Sequence, residues 1–312
     1  MSRGLSGVLA VIGACLVWGL SGIYFKALAM VPPLELVSHR VIWTVVFFAV
    51  VLAAQGRFRE APAALARPRT LAALACTATL ILANWLGFVL AIQTGRALEA
   101  SLGYYVFPLV AVALGYFVLG ERFSRLQAVA VGLAALAVVI LTVGLGAPPW
   151  IALMLASTFG GYGLIKNRLG LPPAVSVFVE TLLIAPFALI WLFGLHAGLW
   201  TDPSGRPGAW FGRDAWVTFL LVLSGPLMTG GPLMLFTYAA RNIRLATLGL
   251  VQYLNPTLQF VVAVGLFGEV FTRWHAVAFP MIWAALALYT AEAWRRSRAI
   301  PVAEAEPLGA PD

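Results

Sequence analysis

Ten apolar runs, separated by short charged or Pro/Gly-rich breaks, occupy this chain from about residue 5 to about residue 293. Their limits fall near 5–26, 34–54, 70–93, 97–119, 126–145, 150–165, 174–195, 215–239, 245–268 and 274–293. A bilayer core of about 30 Å takes roughly 20 residues of helix, and these runs are of that order. Lipid offers no partner to a backbone N–H or C=O, so such runs must satisfy their hydrogen bonds internally, as helices. The expected fold is therefore an all-α polytopic membrane protein with ten transmembrane helices. Composition agrees: 62% of the 312 residues are hydrophobic and 10% charged, against about 25% charged in a soluble domain. The formal net charge of +8 does not imply nucleic acid, because the basic residues lie scattered in short loops and form no stripe. Cys15 and Cys76 sit inside apolar runs and make no CxxC, haem or zinc pattern, so neither metal nor cofactor is expected.

Ten spans place both termini on one side. Fourteen of the 20 Lys and Arg residues then fall on that side and six on the other, which predicts cytoplasmic termini in a multi-pass inner-membrane protein. The first run is not expected to be a cleaved signal, since Lys26 ends it where small residues would be needed and no polar domain follows.

Two stretches match at a fixed offset. Gly120-Glu121-Arg122-Phe123-Ser124-Arg125 closes the fourth run and Gly268-Glu269-Val270-Phe271-Thr272-Arg273 the ninth, with Pro108 and Pro256 each 13 residues before the glutamate. Ser101-Leu102-Gly103 answers Thr247-Leu248-Gly249, and Pro32-Pro33 answers Pro172-Pro173. The repeat unit has five spans, an odd number, so the second copy must thread the membrane in the opposite sense. This predicts two inverted five-helix halves, 5–145 and 150–293, followed by a cytoplasmic tail at 294–312. Inverted repeats are a recurring construction of secondary transporters, because the halves can exchange conformations about one midplane site.

Several strings together resemble the drug/metabolite transporter superfamily in its EamA-type form, and more narrowly the RarD group. They are Trp18-Gly19; Pro33-Leu34-Glu35 with His39-Arg40 and Trp43; Asn84-Trp85; Leu98-Glu99-Ala100-Ser101-Leu102-Gly103-Tyr104; Gly120-Glu121; and Gln252-Tyr253 with Asn255-Pro256-Thr257-Leu258-Gln259. The Gly-Glu loops mark the superfamily and the other strings the group. Asn255 departs from the small or apolar residue expected before that proline. The resemblance implies a cytoplasmic-membrane permease or exporter of small metabolites or drugs, without naming a substrate.

An ionisable residue inside a membrane is a site hypothesis by default, because burying it costs at least ~2.5–3.5 kcal/mol. Glu35 and His39 share a helix face at i, i+4 with Arg40 beside them. They read as a gating or proton-coupling group, or as interfacial residues solvated near the headgroups. Glu99 opens the fourth span, where the helix dipole alone would favour it, and an Arg40–Glu99 ion pair is expected. Glu180 stands inside the seventh span with no cation near it in sequence. Pro108 and Pro256 are helix interruptions at matching positions, each expected to free a backbone carbonyl. Around them Tyr104, Gln252, Asn255 and Gln259, with Asn84 and Trp85, are the candidate substrate-binding set; the competing reading of the amides is interhelical glue. Ala128/Gly132 and Ala130/Ala134 are small-xxx-small pairs suited to close packing within the monomer or at a homodimer seam.

A membrane-embedded lipid or acyl transferase is the alternative. His39, His196 and His275 are scattered, and no HExxH, Gly-x-Ser-x-Gly or P-loop string is present. A non-transporting sensor would bring a soluble domain, which the 196–214 loop is too short to be. The expected partners are a small-molecule substrate and membrane lipids.

Overall fold

The apolar runs become helices. The computed structural model describes residues 3–119, 124–146, 148–243 and 245–299, and contains no strand among them. The first half comprises α1 (Arg3–Ala27), α2 (Pro33–Ala54), a short α3 (Glu60–Leu65), α4 (Pro68–Gln93), α5 (Ala97–Leu119) and α6 (Arg125–Leu145). The second comprises α7 (Trp150–Leu169), α8 (Pro173–His196), α9 (Ala215–Gly225), α10 (Gly231–Asn242), α11 (Leu245–Gln252), α12 (Leu254–Val261) and α13 (Arg273–Ala299). A π-turn at Pro226–Gly230 joins α9 to α10, and another at Val262–Leu266 extends α12. Among the described residues, eight helical segments are long and apolar enough to cross a bilayer, and α5 and α7 are not among the eight.

The surface places apolar side chains outward, where a soluble fold would place charge. Phe117, Phe187 and Val143 are 78%, 73% and 73% exposed. Glu35, Arg40, Asn84, Thr77 and Glu180 are buried in the interior instead. That inversion, with the helix lengths, is the signature of a multi-pass membrane protein.

Two helices outrun their expected ends. α7 continues four residues past 165, to Leu169, because Lys166 turns inward to a buried partner, and Gly170 at φ 60° closes the helix. α13 runs six residues past 293, to Ala299, carrying a Glu292–Arg295 ion pair of 2.9 Å. The expected tail thus begins as helix, and residues 300–312 lie outside the described ones.

Proline acts differently at its two repeat positions. α5 continues through Pro108, so the chain is not interrupted there. The ring removes only the bond its N–H would have given to the Tyr104 carbonyl. Near Pro256 the chain does break, between Gln252 and Leu254, and Pro256 sits in the first turn of α12, where no N–H is required.

α2 packs on α8, α6 on α13 and α5 on both α7 and α12. α1 lies against α10 and α12, α4 against α7 and α8, and α2 also against α9. Ala130 and Ala134 are buried on α6, whereas Ala128 and Gly132 face outward.

Candidate functional site

The centre of the bundle is organised by Arg40 on α2. Its side chain is 6% exposed. Nε donates to Thr229 Oγ1 at 3.0 Å and Nη2 to the Met228 carbonyl at 3.4 Å. That carbonyl is available because Pro232, four residues on, has no N–H to give it and the π-turn spoils the regular ladder. It also accepts from Trp18 Nε1 at 3.1 Å. The guanidinium lies 4.1 Å from the Trp85 ring centroid and 5.6 Å from that of Phe25, each a cation–π contact.

Asn84, beside Trp85 on α4, donates to the Leu155 carbonyl and to Thr158 Oγ1, both at 3.1 Å, and accepts from the Tyr104 hydroxyl at 2.9 Å. One amide thus ties α4, α5 and α7. Phe88, a turn further along α4, stands edge-on to both Phe25 and Tyr104, joining the two groups through one aromatic wall.

Of the α11–α12 amides, Gln259 Nε2 donates to Asn255 Oδ1 at 3.1 Å and reaches the Trp18 carbonyl at 3.5 Å. Gln259 Oε1 is buried without a partner among the described residues. Gln252, at the end of α11, takes no part in these contacts. Tyr104 faces Asn84; it is its neighbour Tyr105 that meets α12, at Thr257 Oγ1 across 2.8 Å. The seam between the halves, lined by Gly19, Gly22, Phe88, Ile92, Ala97, Gln259 and Val262, is closed and leaves no room for a water molecule. Gly19 is required here, since a Cβ would lie 2.6 Å from that of Leu258.

Toward the side of the termini, Glu180 is 1% exposed. Lys166 Nζ reaches both of its oxygens at 2.9 Å, Thr77 donates to it at 2.8 Å, and Ser176 and Tyr162 each donate at 3.2 Å. The cation missing from the local sequence comes from the preceding helix.

At the opposite end three carboxylates hold backbone N–H groups. Glu35 accepts from Ala209 at 3.0 Å and Trp210 at 2.7 Å, pinning the 197–214 loop, while Phe211 stacks on His39 at 4.8 Å. Glu99 accepts from Ile151 at the start of α7 at 2.7 Å, and Glu269 from Ala97 and Leu98 at the start of α5, both at 2.7 Å. Carboxylates at helix N-termini satisfy donors that have no intrahelical partner. The expected Arg40–Glu99 pair is absent: Glu99 binds Arg96 at 2.5 Å. Helix dipole and local arginine together outcompete a distant guanidinium that is already ringed by aromatics.

The EamA-like transporter family matches residues 5–143. A Vibrio cholerae protein named "Uncharacterized transporter" is 39% identical over 94% of this chain and 94% of its own. Protein RarD of Salmonella typhimurium is 39% identical over 92% of this chain and 95% of its own. The chain belongs to the RarD group of the drug/metabolite transporter superfamily. A solved crystal structure shares its fold at a TM-score of 0.58 and 18% identity, covering 91% of this chain and 97% of that one.

Several residues of the RarD-group strings make the contacts above. Trp18 and Arg40 meet at the Met228 carbonyl, Asn84 and Tyr104 share a hydrogen bond, and Glu35 and Glu99 tie the end opposite the termini. Sequence reasoning missed Thr229, Phe25, Lys166, Thr77 and the role of Glu269. Pro232 was the available signal for the freed Met228 carbonyl, since it sits four residues after Met228 and next to a glycine pair. Glu121, the repeat counterpart of Glu269, lies outside the described residues.

Proposed function

We propose that this chain is a secondary transporter of small metabolites or drugs in the cytoplasmic membrane, working by alternating access between inverted five-helix halves. The observation that carries the reading is the reciprocity of the helix packing. Exchanging α1, α2, α4, α5 and α6 for α7, α8, α9–α10, α11–α12 and α13 turns each principal contact into another. α1–α10 becomes α4–α7, α1–α12 becomes α5–α7, and α2–α9 becomes α4–α8. α2–α8, α5–α12 and α6–α13 map onto themselves. Such a pattern supports a pseudo-two-fold relation, and five segments per half make it an inverted one. The closed seam between α1, α4, α5 and α12 is then the solute path when it opens, with Gln259 in its lining and Arg40, Asn84, Trp85, Tyr104 and Asn255 in the surrounding bundle. Gln252 contributes its position at the break before Pro256. Glu35, His39 and Glu99 belong to the gate opposite the termini, and the Glu180–Lys166 pair to the gate beside them. Both gates are built from contacts between segments remote in sequence, helix to helix at Glu99 and Glu180 and helix to loop at Glu35 and His39, as reversible closures must be.

The test combines cells and purified protein. Cells overproducing the chain should differ from cells lacking it in the level of, or sensitivity to, at least one small solute. That solute should exchange across vesicles holding the purified chain. No difference in cells, or no exchange in vesicles, would end the transporter reading.

Orientation has its own experiment. A cysteine placed at Ser204 is expected to react with an impermeant maleimide added to intact cells, and one at Ala63 only after lysis. The reverse pattern would invert the topology.

A further inference from the structure

The two halves place opposite charges at matching positions and treat them differently. Arg40 stands seven residues after Pro33, and Glu180 seven after Pro173. Glu180 has a lysine on both oxygens. Arg40 has no carboxylate within 4 Å among the described residues. Nor can a nearby acid be spared, because Glu35, Glu99 and Glu269 are each occupied by backbone N–H groups.

A guanidinium carries five N–H donors and always its charge. Here one neutral hydroxyl, one carbonyl and two aromatic faces are what the protein offers it. Cation–π contacts and neutral hydrogen bonds offset part of the burial cost, but leave the charge uncompensated. The natural complement is an anion that comes and goes. The walls tell what else it carries: Trp85 and Phe25 lie against the guanidinium and Phe88 stands edge-on to Phe25, so the surroundings of the charge are aromatic and apolar. Trp18 connects the two ends, since its indole shares the Met228 carbonyl with Arg40 and its own carbonyl meets Gln259. At the Gln259 end the unpartnered Oε1 is an acceptor ready for a donor on the solute.

We propose that Arg40 is the anion anchor of the translocated solute, a small organic carboxylate whose apolar body is taken up among Phe25, Trp85 and Phe88 when the seam between the halves opens. This rests on the transporter reading, because it assigns the substrate class of that same site.

The experiment uses the purified full chain in detergent and measures thermal stabilisation and tryptophan fluorescence. The probes are benzoate, its neutral isostere benzamide, phenyl phosphate, benzylamine and chloride at matched ionic strength. Benzoate is expected to stabilise the protein and benzamide, benzylamine and chloride not to. Arg40→Gln should weaken benzoate at least about tenfold, with partial recovery in Arg40→Lys. Arg213→Gln, which removes the cation–π contact with Trp210, should leave it within about twofold. Stabilisation by benzamide equal to that by benzoate, response to phenyl phosphate alone, no response to benzoate, or full benzoate binding in Arg40→Gln would each overturn the assignment. If Arg40→Gln does not fold, the benzoate–benzamide comparison on the unaltered chain still decides. Binding is read without transport, so benzoate binding with no exchange in vesicles would remove the transporter reading and leave the anion site standing.

Discussion

Lys166→Met is expected to destabilise the protein severely, and Lys166→Met/Glu180→Gln to recover most of the loss. The reason is asymmetry in the cost of a buried ion pair. Removing one partner strands a charge that is 1% exposed, which typically costs about 3–5 kcal/mol, whereas replacing both with neutral residues of similar volume is often close to neutral. In the double variant the new side-chain amide would still find the Thr77, Ser176 and Tyr162 hydroxyls at the distances the Glu180 carboxylate uses. The measurement is unfolding of the purified single and double variants in mixed detergent as a double-mutant cycle. A Lys166→Met cost within the ~0.5 kcal/mol of an ordinary surface change, or additivity of the two substitutions, would show that the pair does not hold α7 to α8. The same cycle carried into a transport assay separates anchoring from gating, because a purely structural pair returns activity together with stability.

The second large effect is expected at Gly225→Ala. A Cβ there would lie 2.3 Å from the backbone nitrogen of Thr44 and from the carbonyl carbon of Trp43. Backbone cannot rotate aside as a side-chain tip can, so α2 and α9 must separate. Overpacking of this kind typically costs about 1–3 kcal/mol. It would also draw Thr229 and the Met228 carbonyl away from Arg40, so function should suffer beyond stability. Gly132→Ala on α6 is the matching control. That glycine meets nothing within 4 Å and has ordinary helical geometry, so alanine there should be neutral or gain roughly 0.5–1 kcal/mol of helix propensity. Thermal unfolding of the two variants side by side checks the pair, and equal melting temperatures would remove the close α2–α9 approach as a determinant.

The sequence by itself determined the class of molecule. Long apolar runs with their charges confined to the breaks have one physical solution, membrane helices, because backbone polarity and hydrocarbon cannot otherwise coexist. It also determined the residues worth watching: Arg40, Asn84, Trp85, Tyr104, Glu180 and Gln259 all stood out as polar or interfacial groups inside apolar runs, and all sit in the interior. Partnership was decided only by the tertiary structure. Glu99 chose Arg96 and the start of α7 over Arg40, and Glu180 found Lys166 on a different helix. Tyr104 turned to Asn84 while Tyr105 turned to α12. Pro108 was carried inside an unbroken helix, and the break fell before Pro256. Apolar composition makes nearly every face of these helices hydrophobic, so periodicity cannot say which face meets which neighbour. That choice rests on small residues such as Gly19 and Gly225 and on carbonyls freed by proline, whose effects appear only when helices remote in sequence are brought into contact.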